Sequence, residues 1–210
     1  MSRPKSSGTG IGPVRPIDGG APGSGPEHPR LRAARVEEAA ALSAFMTRMF
    51  TEAFGADNNP DDLAMYLRRS YSAARQRKEL GDPDIRTIIA EGPAGLAGYA
   101  MLRRGSVPPP VVTQPDPVEL WRFYVDTPWK GGGLAQRLMK AVRHETALLG
   151  GGSLWLSVWE RNPRAIAFYR KEGFVDVGSQ VFVVGTDPQN DRVMVAALGS
   201  IPPSGTADLS

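Results

Sequence analysis

The chain is 210 residues long, 41% hydrophobic and 22% charged, with 25 Lys and Arg against 22 Asp and Glu and a formal net charge of +3. That size suits one domain with a substantial core and leaves little for a second. No cysteine is present, which excludes disulfides, thiolate metal sites and a cysteine nucleophile.

His28 and His144 lie far apart, without metal-ligand spacing, so no metal is expected. Basic residues are interleaved with acidic ones, and the densest run, "RQRK" (Arg75 to Lys78), suits a solvated helix face; no nucleic-acid partner is expected. No apolar stretch reaches the roughly 20 residues of a membrane span. Arg3 and Lys5 precede no signal-peptide apolar core, and a cytoplasmic location is expected.

Residues 1–29 are rich in Pro, Gly and Ser and poor in large apolar residues, a composition that cannot bury enough surface to offset chain entropy. Residues 199–210 read the same way, which leaves a folded domain over 30–198. "RLRAA" starts it as a short strand. Leu42, Phe45, Met46, Met49, Phe50, Ala53 and Phe54 then recur at helical spacing. A second helix starts at "NNPDDL", where Asn59 caps, Pro60 suits the first position, and Asp61 and Asp62 suit the dipole. Leu63, Leu67 and Tyr71 continue one face of it.

"DIRTIIAE" and "GLAGYAMLRR" predict two strands joined by a Gly-Pro turn. "GSVPPPVVTQPDP" is a loop, because its prolines cannot feed a sheet ladder. "VELWRFYV" is the next strand. Three glycines follow it and open a helix whose core face holds Leu134, Leu138 and Val142, with Ala141 and Leu148 nearby. Gly150 to Gly152 end that helix before the strand "SLWLSVW". Asn162 and Pro163 start a short helix that Gly173 ends, and "FVDVGSQVFVV" and "DRVMVAAL" close the chain with strands. The order is β-α-α-β-β-β-α-β-α-β-β, a mixed α/β layer architecture.

A strand running through glycines into a helix presents free N–H groups at the positive end of a dipole, a setting suited to phosphate. A Walker loop would need Lys and Ser or Thr after Gly133, where Leu134 and Ala135 stand. A dinucleotide fingerprint would need a third glycine near Gln136. Neither motif fits.

What fits is the pair "FYVDTPWKGGGLAQRLM" and "LSVWERNPRAIAFYRKEGF". Together they resemble the GNAT family of acetyl-CoA-dependent N-acetyltransferases, whose fold is a mixed, mostly antiparallel sheet flanked by helices. The stretch from "WLSVW" to "VAAL", with "MFTEAFGADNNPDDLAMYL", is similar to the PaiA-type bacterial branch, whose members acetylate spermidine and spermine. The resemblance spans about 31–198.

The resemblance implies acetyl-CoA as co-substrate, with its pyrophosphate on the loop Lys130, Gly131, Gly132, Gly133, Leu134 and Ala135. Lys130 stands where the family usually has Arg or Gln, keeping a donor but losing a planar fork. Backbone groups of Phe123, Tyr124 and Val125 would meet the pantetheine arm. Tyr169 would be the general acid for the leaving sulfur, with Phe168 in the core. Asn162 matches a residue that bonds the cofactor arm, and its capping role explains it equally well.

By the two-residue period Glu119 shares a strand face with Trp121 and Phe123. Because family members often use a Glu on this strand, it is the candidate base. A solvated strand-end carboxylate is its plainer role. The proline-rich loop over Val107 to Pro117 has no counterpart in the branch and is expected to border the acceptor side.

The expected reaction is acetyl transfer to a primary amine of a small molecule, a polyamine leading. The rivals are a protein N-terminus, an amino acid or an antibiotic amine as acceptor, and a non-catalytic acyl-CoA sensor. The resemblance also allows a homodimer.

Overall fold

A computed structural model describes residues 28–184 and 187–198. Its strands are β1 (Arg30–Ala33), β2 (Ile85–Gly92), β3 (Gly95–Arg103), β4 (Pro117–Val125), β5 (Ser153–Trp159), β6 (Val175–Val184) and β7 (Asp187–Ala197). They form one sheet in the order β1-β2-β3-β4-β5-β7-β6. Only the β4–β5 pair is parallel; every other neighbour is antiparallel.

Five helices cover the sheet: α1 (Ala39–Phe54), α2 (Pro60–Tyr71), α3 (Ala73–Leu80), α4 (Leu134–Leu148) and α5 (Pro163–Lys171). The α4–α5 face is almost wholly apolar: Leu138, Met139 and Val142 pack on Leu102, Val118, Leu120, Leu154 and Leu156. On the other face α1 and α2 bury Leu42, Met46, Phe50 and Leu63 against Ile89, Tyr99 and Met101. That second core also holds charge. Arg122 on β4 is buried over the rings of Trp121 (3.9 Å) and Tyr71 (4.8 Å). Its Nη1 donates to Glu79 Oε2 at 2.7 Å.

Local signals account for most boundaries. The Asn59 side chain accepts from the Asp61 and Asp62 N–H groups, and Pro60 takes the first position of α2. Four expectations need correction. A third helix, α3, stands where two were expected before β2. Ser72 is non-helical and ends α2, and its hydroxyl accepts from Arg75 N–H to start α3. The "RQRK" segment is therefore only partly solvated, with Gln76 buried and Glu79, the next residue after the run, buried as well. The closing strand begins at Asp187 rather than Asp191. Leu148 is exposed and Leu149 takes the buried position, because the last turn rotates away from the sheet.

The fourth correction concerns β4. Arg122 opposes Met101 while Leu120 opposes Leu102, so Trp121 is an extra residue in a β-bulge. The bulge breaks the alternation. Phe123 faces the α4–α5 core, while Trp121 packs with the α1–α2 core, so Glu119 and Trp121 do not share a face with Phe123.

The tail expected over 1–29 lies outside the described residues except at His28 and Pro29, and that over 199–210 lies wholly outside them. Pro29 is buried, and its carbonyl accepts from Arg137 Nη2 at 3.0 Å.

Candidate functional site

The parallel ladder between β4 and β5 is short. Its register covers Pro117–Ser153, Val118–Leu154 and Glu119–Trp155 and then stops. Beyond that point β4 stays with β3 up to Val125, and β5 stays with β7 up to Trp159. The two strands therefore part in the middle of the sheet, leaving the β4 edge at Phe123, Tyr124 and Val125 without a neighbour on that side. Unpaired main-chain donors and acceptors there need partners.

The loop after β4 lies at the mouth of this opening. Asp126 takes a bidentate ion pair from Arg48 on α1 and accepts from Thr127 N–H, which fixes a single 3-10 turn. Gly131 and Gly133 then adopt positive φ, +88° and +81°, and α4 starts at Leu134. A Cβ at either glycine would meet nothing within 4 Å. The constraint is therefore conformational: the left-handed region costs an L side chain about 1–2 kcal/mol.

No side chain caps α4, so its first-turn N–H groups lack intrahelical partners and face an open surface. Leu134 is buried against Ala90 and Ala97 and anchors the start of the helix, with Ala135 half-buried beside it. Lys130 is exposed, its Nζ 3.3 Å from Thr127 Oγ1. The second triple differs. Gly150 is the left-handed residue after α4, and its N–H bonds Ala147 O while Gly151 N–H bonds Thr146 O, an ordinary helix stop.

Tyr169 sits on α5 and faces Phe123 of the unpaired β4 edge. Asn162 caps that helix through its side-chain oxygen, which accepts from Ala165 N–H at 3.1 Å. Tyr169 is 8% exposed and stands in a row of rings: Phe123 at 6.3 Å, Phe168 at 5.5 Å and Phe174 at 5.6 Å between centroids. Phe168 itself stacks on Phe123 at 5.6 Å. Burial among these rings pushes the Tyr169 phenol well above the ordinary tyrosine range, so it holds its proton at neutral pH. Tyr124 stacks on Tyr99 at 5.4 Å, and burial pushes its phenol well above the ordinary tyrosine range too.

Glu119 lies where β4 and β5 are still paired. Its Oε2 accepts from Arg103 Nε at 2.9 Å and Nη2 at 2.6 Å, and Arg103 lies over Trp121 at 4.3 Å. Phe123 at the unpaired β4 edge thus meets Phe168 and Tyr169 of α5, and Asn162 caps that same helix. The glycine loop follows the β4 edge in the chain, and Glu119 lies where β4 and β5 are still paired, with Arg103 already on its carboxylate.

A group missed in the sequence lies on the α1–α2 side. Asp191 on β7 is buried and pairs in register with Trp159 and Gln180. The two-residue period would have found it, had the strand been started at Asp187. Counting back from the buried Val195 and Val193 puts Asp191 on the same inward face. Around it, Phe54 meets Trp159 at 5.8 Å and Tyr66 meets Phe182 at 5.9 Å. The proline-rich loop covers the neighbouring stretch of that face: Val112 is buried on Trp155, Val193 and Val195.

Among the described residues no group of His, Cys, Asp and Glu is arranged to hold a metal ion, and no helix is long and apolar enough to cross a membrane.

Residues 44–174 match the Acetyltransferase (GNAT) family. An uncharacterized N-acetyltransferase of Mycobacterium tuberculosis is 34% identical over 157 residues, covering 75% of this chain and 96% of that protein. A spermine/spermidine N(1)-acetyltransferase of Bacillus subtilis is 33% identical over 82 residues, covering 39% and 50% respectively. Among solved structures, the PaiA N-acetyltransferase of Thermoplasma acidophilum, crystallised with coenzyme A, has the same fold: TM-score 0.64 at 17% identity, over 80% of this chain and 98% of that one. The parted strands, the glycine-opened helix and these relatives agree: the chain belongs to the GNAT family of acetyltransferases and is an acyltransferase enzyme.

Proposed function

We propose that this enzyme moves the acetyl group of acetyl-CoA to a primary amine of a small molecule, a polyamine being the leading class. The observation that carries the reading is the opening between β4 and β5, with the uncapped glycine loop at its mouth and Tyr169 on its wall. The fit to the co-substrate rests on two features. Gly131 and Gly133 leave open space where a side chain would stand, and the β4 edge lacks a ladder partner.

In this reading the N–H groups of residues 131–135 hold the pyrophosphate, with Lys130 as a mobile counter-charge. Phe123, Tyr124 and Val125 bond the pantetheine arm through main-chain groups, and the Asn162 side-chain amide N–H, free of the cap, reaches the same arm. Acetyl-CoA supplies an activated acyl group as a thioester. Tyr169 keeps its Oη proton at neutral pH and gives it to the departing sulfur. The aromatic surround of Phe54, Tyr66, Trp159 and Phe182 suits a cationic acceptor. We carry the homodimer in the same proposal: edge strand β6 exposes Val181 and Val183, and light scattering against the monomer mass checks it.

The test is an amine panel with acetyl-CoA and a thiol-release readout. Turnover with spermidine or spermine is the expected result. Turnover with peptides alone moves the acceptor to a protein N-terminus, and tight acetyl-CoA binding with no turnover on any amine overturns the catalytic reading.

A further inference from the structure

Three carboxylates are buried among the described residues: Glu79, Glu119 and Asp191. Burying a carboxylate is costly unless a cation or several donors meet it. Glu79 has Arg122 and Arg75, and Glu119 has Arg103. Among the described residues no Lys or Arg forms an ion pair with Asp191, and the nearby Ser157 hydroxyl is the group that eases its charge. Arg192, the next residue, turns to the opposite face and is held by Asp176.

The site around Asp191 is built from four elements. β5 brings Ser157 and Trp159, β6 brings Gln180 and Phe182, α1 brings Phe54, and α2 brings Tyr66. Asp191 lies opposite Trp159, the last residue of β5, at the end where β5 has left β4. Tyr66 stacks on Phe50 at 4.8 Å and meets Tyr71 edge-on at 5.9 Å, which holds its ring on this side of the sheet. Tyr66 in turn feels Asp191. The carboxylate thus lies on the α1–α2 side of the sheet, opposite the end of β5 that has parted from β4.

We propose that Asp191 is the residue that receives the acceptor's ammonium group and takes its proton, so that the missing cation of this site is the substrate itself. The inference rests on the acetyltransferase reading above. The ammonium binds beside the carboxylate, flanked by the rings of Tyr66 and Trp159. One N–H proton passes to the Asp191 carboxylate and on to solvent, freeing the nitrogen lone pair. As the new C–N bond forms and the C–S bond breaks, nitrogen sheds a second proton, and this offsets the one Tyr169 gives to sulfur. The sum is ammonium plus thioester giving amide, thiol and one proton.

The environment suits such a base. Desolvation, with a smaller push from Glu160, raises the Asp191 carboxyl to about 6, and Ser157 opposes the rise. Glu160 at the end of β5 and Tyr66 on α2 are its titratable neighbours; β6 contributes only the neutral Gln180 across the ladder.

The experiment compares wild type, Asp191→Asn and Glu119→Gln on the best amine of the panel, with a second readout on the free protein. For wild type, kcat/KM should rise with pH through about 6. For Asp191→Asn, kcat/KM should fall about 100-fold and that limb should vanish, while the KM for acetyl-CoA stays unchanged.

The second readout follows from linkage. A carboxyl raised in the fold contributes stability below its unfolded pKa and loses it as pH rises through the folded value. Asp191→Asn should therefore gain in thermal midpoint relative to wild type as pH goes from 4 to 8, whereas an Asp with a purely structural bond would lose.

An Asp191→Asn enzyme within threefold of wild type with the same limb overturns the proposal. So does loss of the limb in Glu119→Gln alone, which assigns the base to Glu119. A wild type that acetylates no amine overturns the acetyltransferase reading together with the inference; an active wild type with an indifferent Asp191→Asn overturns the inference alone.

Discussion

The two faces of the sheet are built from different chemistry. Against α4 and α5 the buried cluster is apolar, aliphatic and aromatic, with Tyr169 its one phenol. Against α1, α2 and α3 the sheet buries Tyr71, Tyr99, Arg122 and Glu79, and further along Asp191. In the proposed reading the first face needs little polar side-chain chemistry, because main-chain groups of a parted strand and an uncapped helix would supply its contacts to the co-substrate. In the same reading the second face would distinguish one acceptor from another, a task for side chains. Polar groups buried there cost stability, and Glu79 and Arg122 offset that cost by pairing with each other.

The sharpest way to break that contrast is at Tyr169, the side chain of the apolar face to which we assign chemistry. Tyr169→Phe removes one oxygen and leaves the ring row with Phe123, Phe168 and Phe174 intact. We expect kcat to fall about 100-fold or more with the acetyl-CoA KM nearly constant, read by steady-state thiol release under conditions where chemistry limits the rate. An unchanged kcat would leave that face with no catalytic side chain at all.

A probe of the polar face should move stability instead. Glu79→Ala leaves Arg122 buried without its carboxylate partner, and breaking a buried pair costs about 3–5 kcal/mol. Urea unfolding at neutral pH measures it. A loss under about 1 kcal/mol would mean that the rings of Tyr71 and Trp121 already satisfy the guanidinium.

The smallest expected effect separates the two glycine triples. Gly133→Ala and Gly150→Ala both force an L residue into a left-handed conformation, so each should cost about 1–2 kcal/mol in thermal or urea unfolding. Only Gly133→Ala should also raise the KM for acetyl-CoA. Equal KM values would reduce Gly131 to Gly133 to the same role as Gly150, a turn.

Much of this protein is written locally. Asn59-Pro60 and Asn162-Pro163 start helices because a short side-chain acceptor and a fixed φ satisfy needs that arise within four residues. The apolar spacing of α1 and α4 selected their buried faces for the same reason, and the glycines before Leu134 marked an open helix start. Those features, with the paired motifs, were enough to read the fold and the family.

Other features depend on residues far apart in the chain. The bulge at Trp121 exists only because β3 sits beside β4, and it reverses the face that Phe123 occupies. Ser72 splits one expected helix into two so that Glu79 can reach Arg122, 43 positions away. Glu119 looked available until Arg103 was brought across the ladder to it. Asp191 became notable when Glu79 and Glu119 proved to have cations and it did not. Sequence determines which groups are present and which local turns they favour; only tertiary packing decides which buried charge is left without a partner, because that depends on what every other strand and helix brings to the same place.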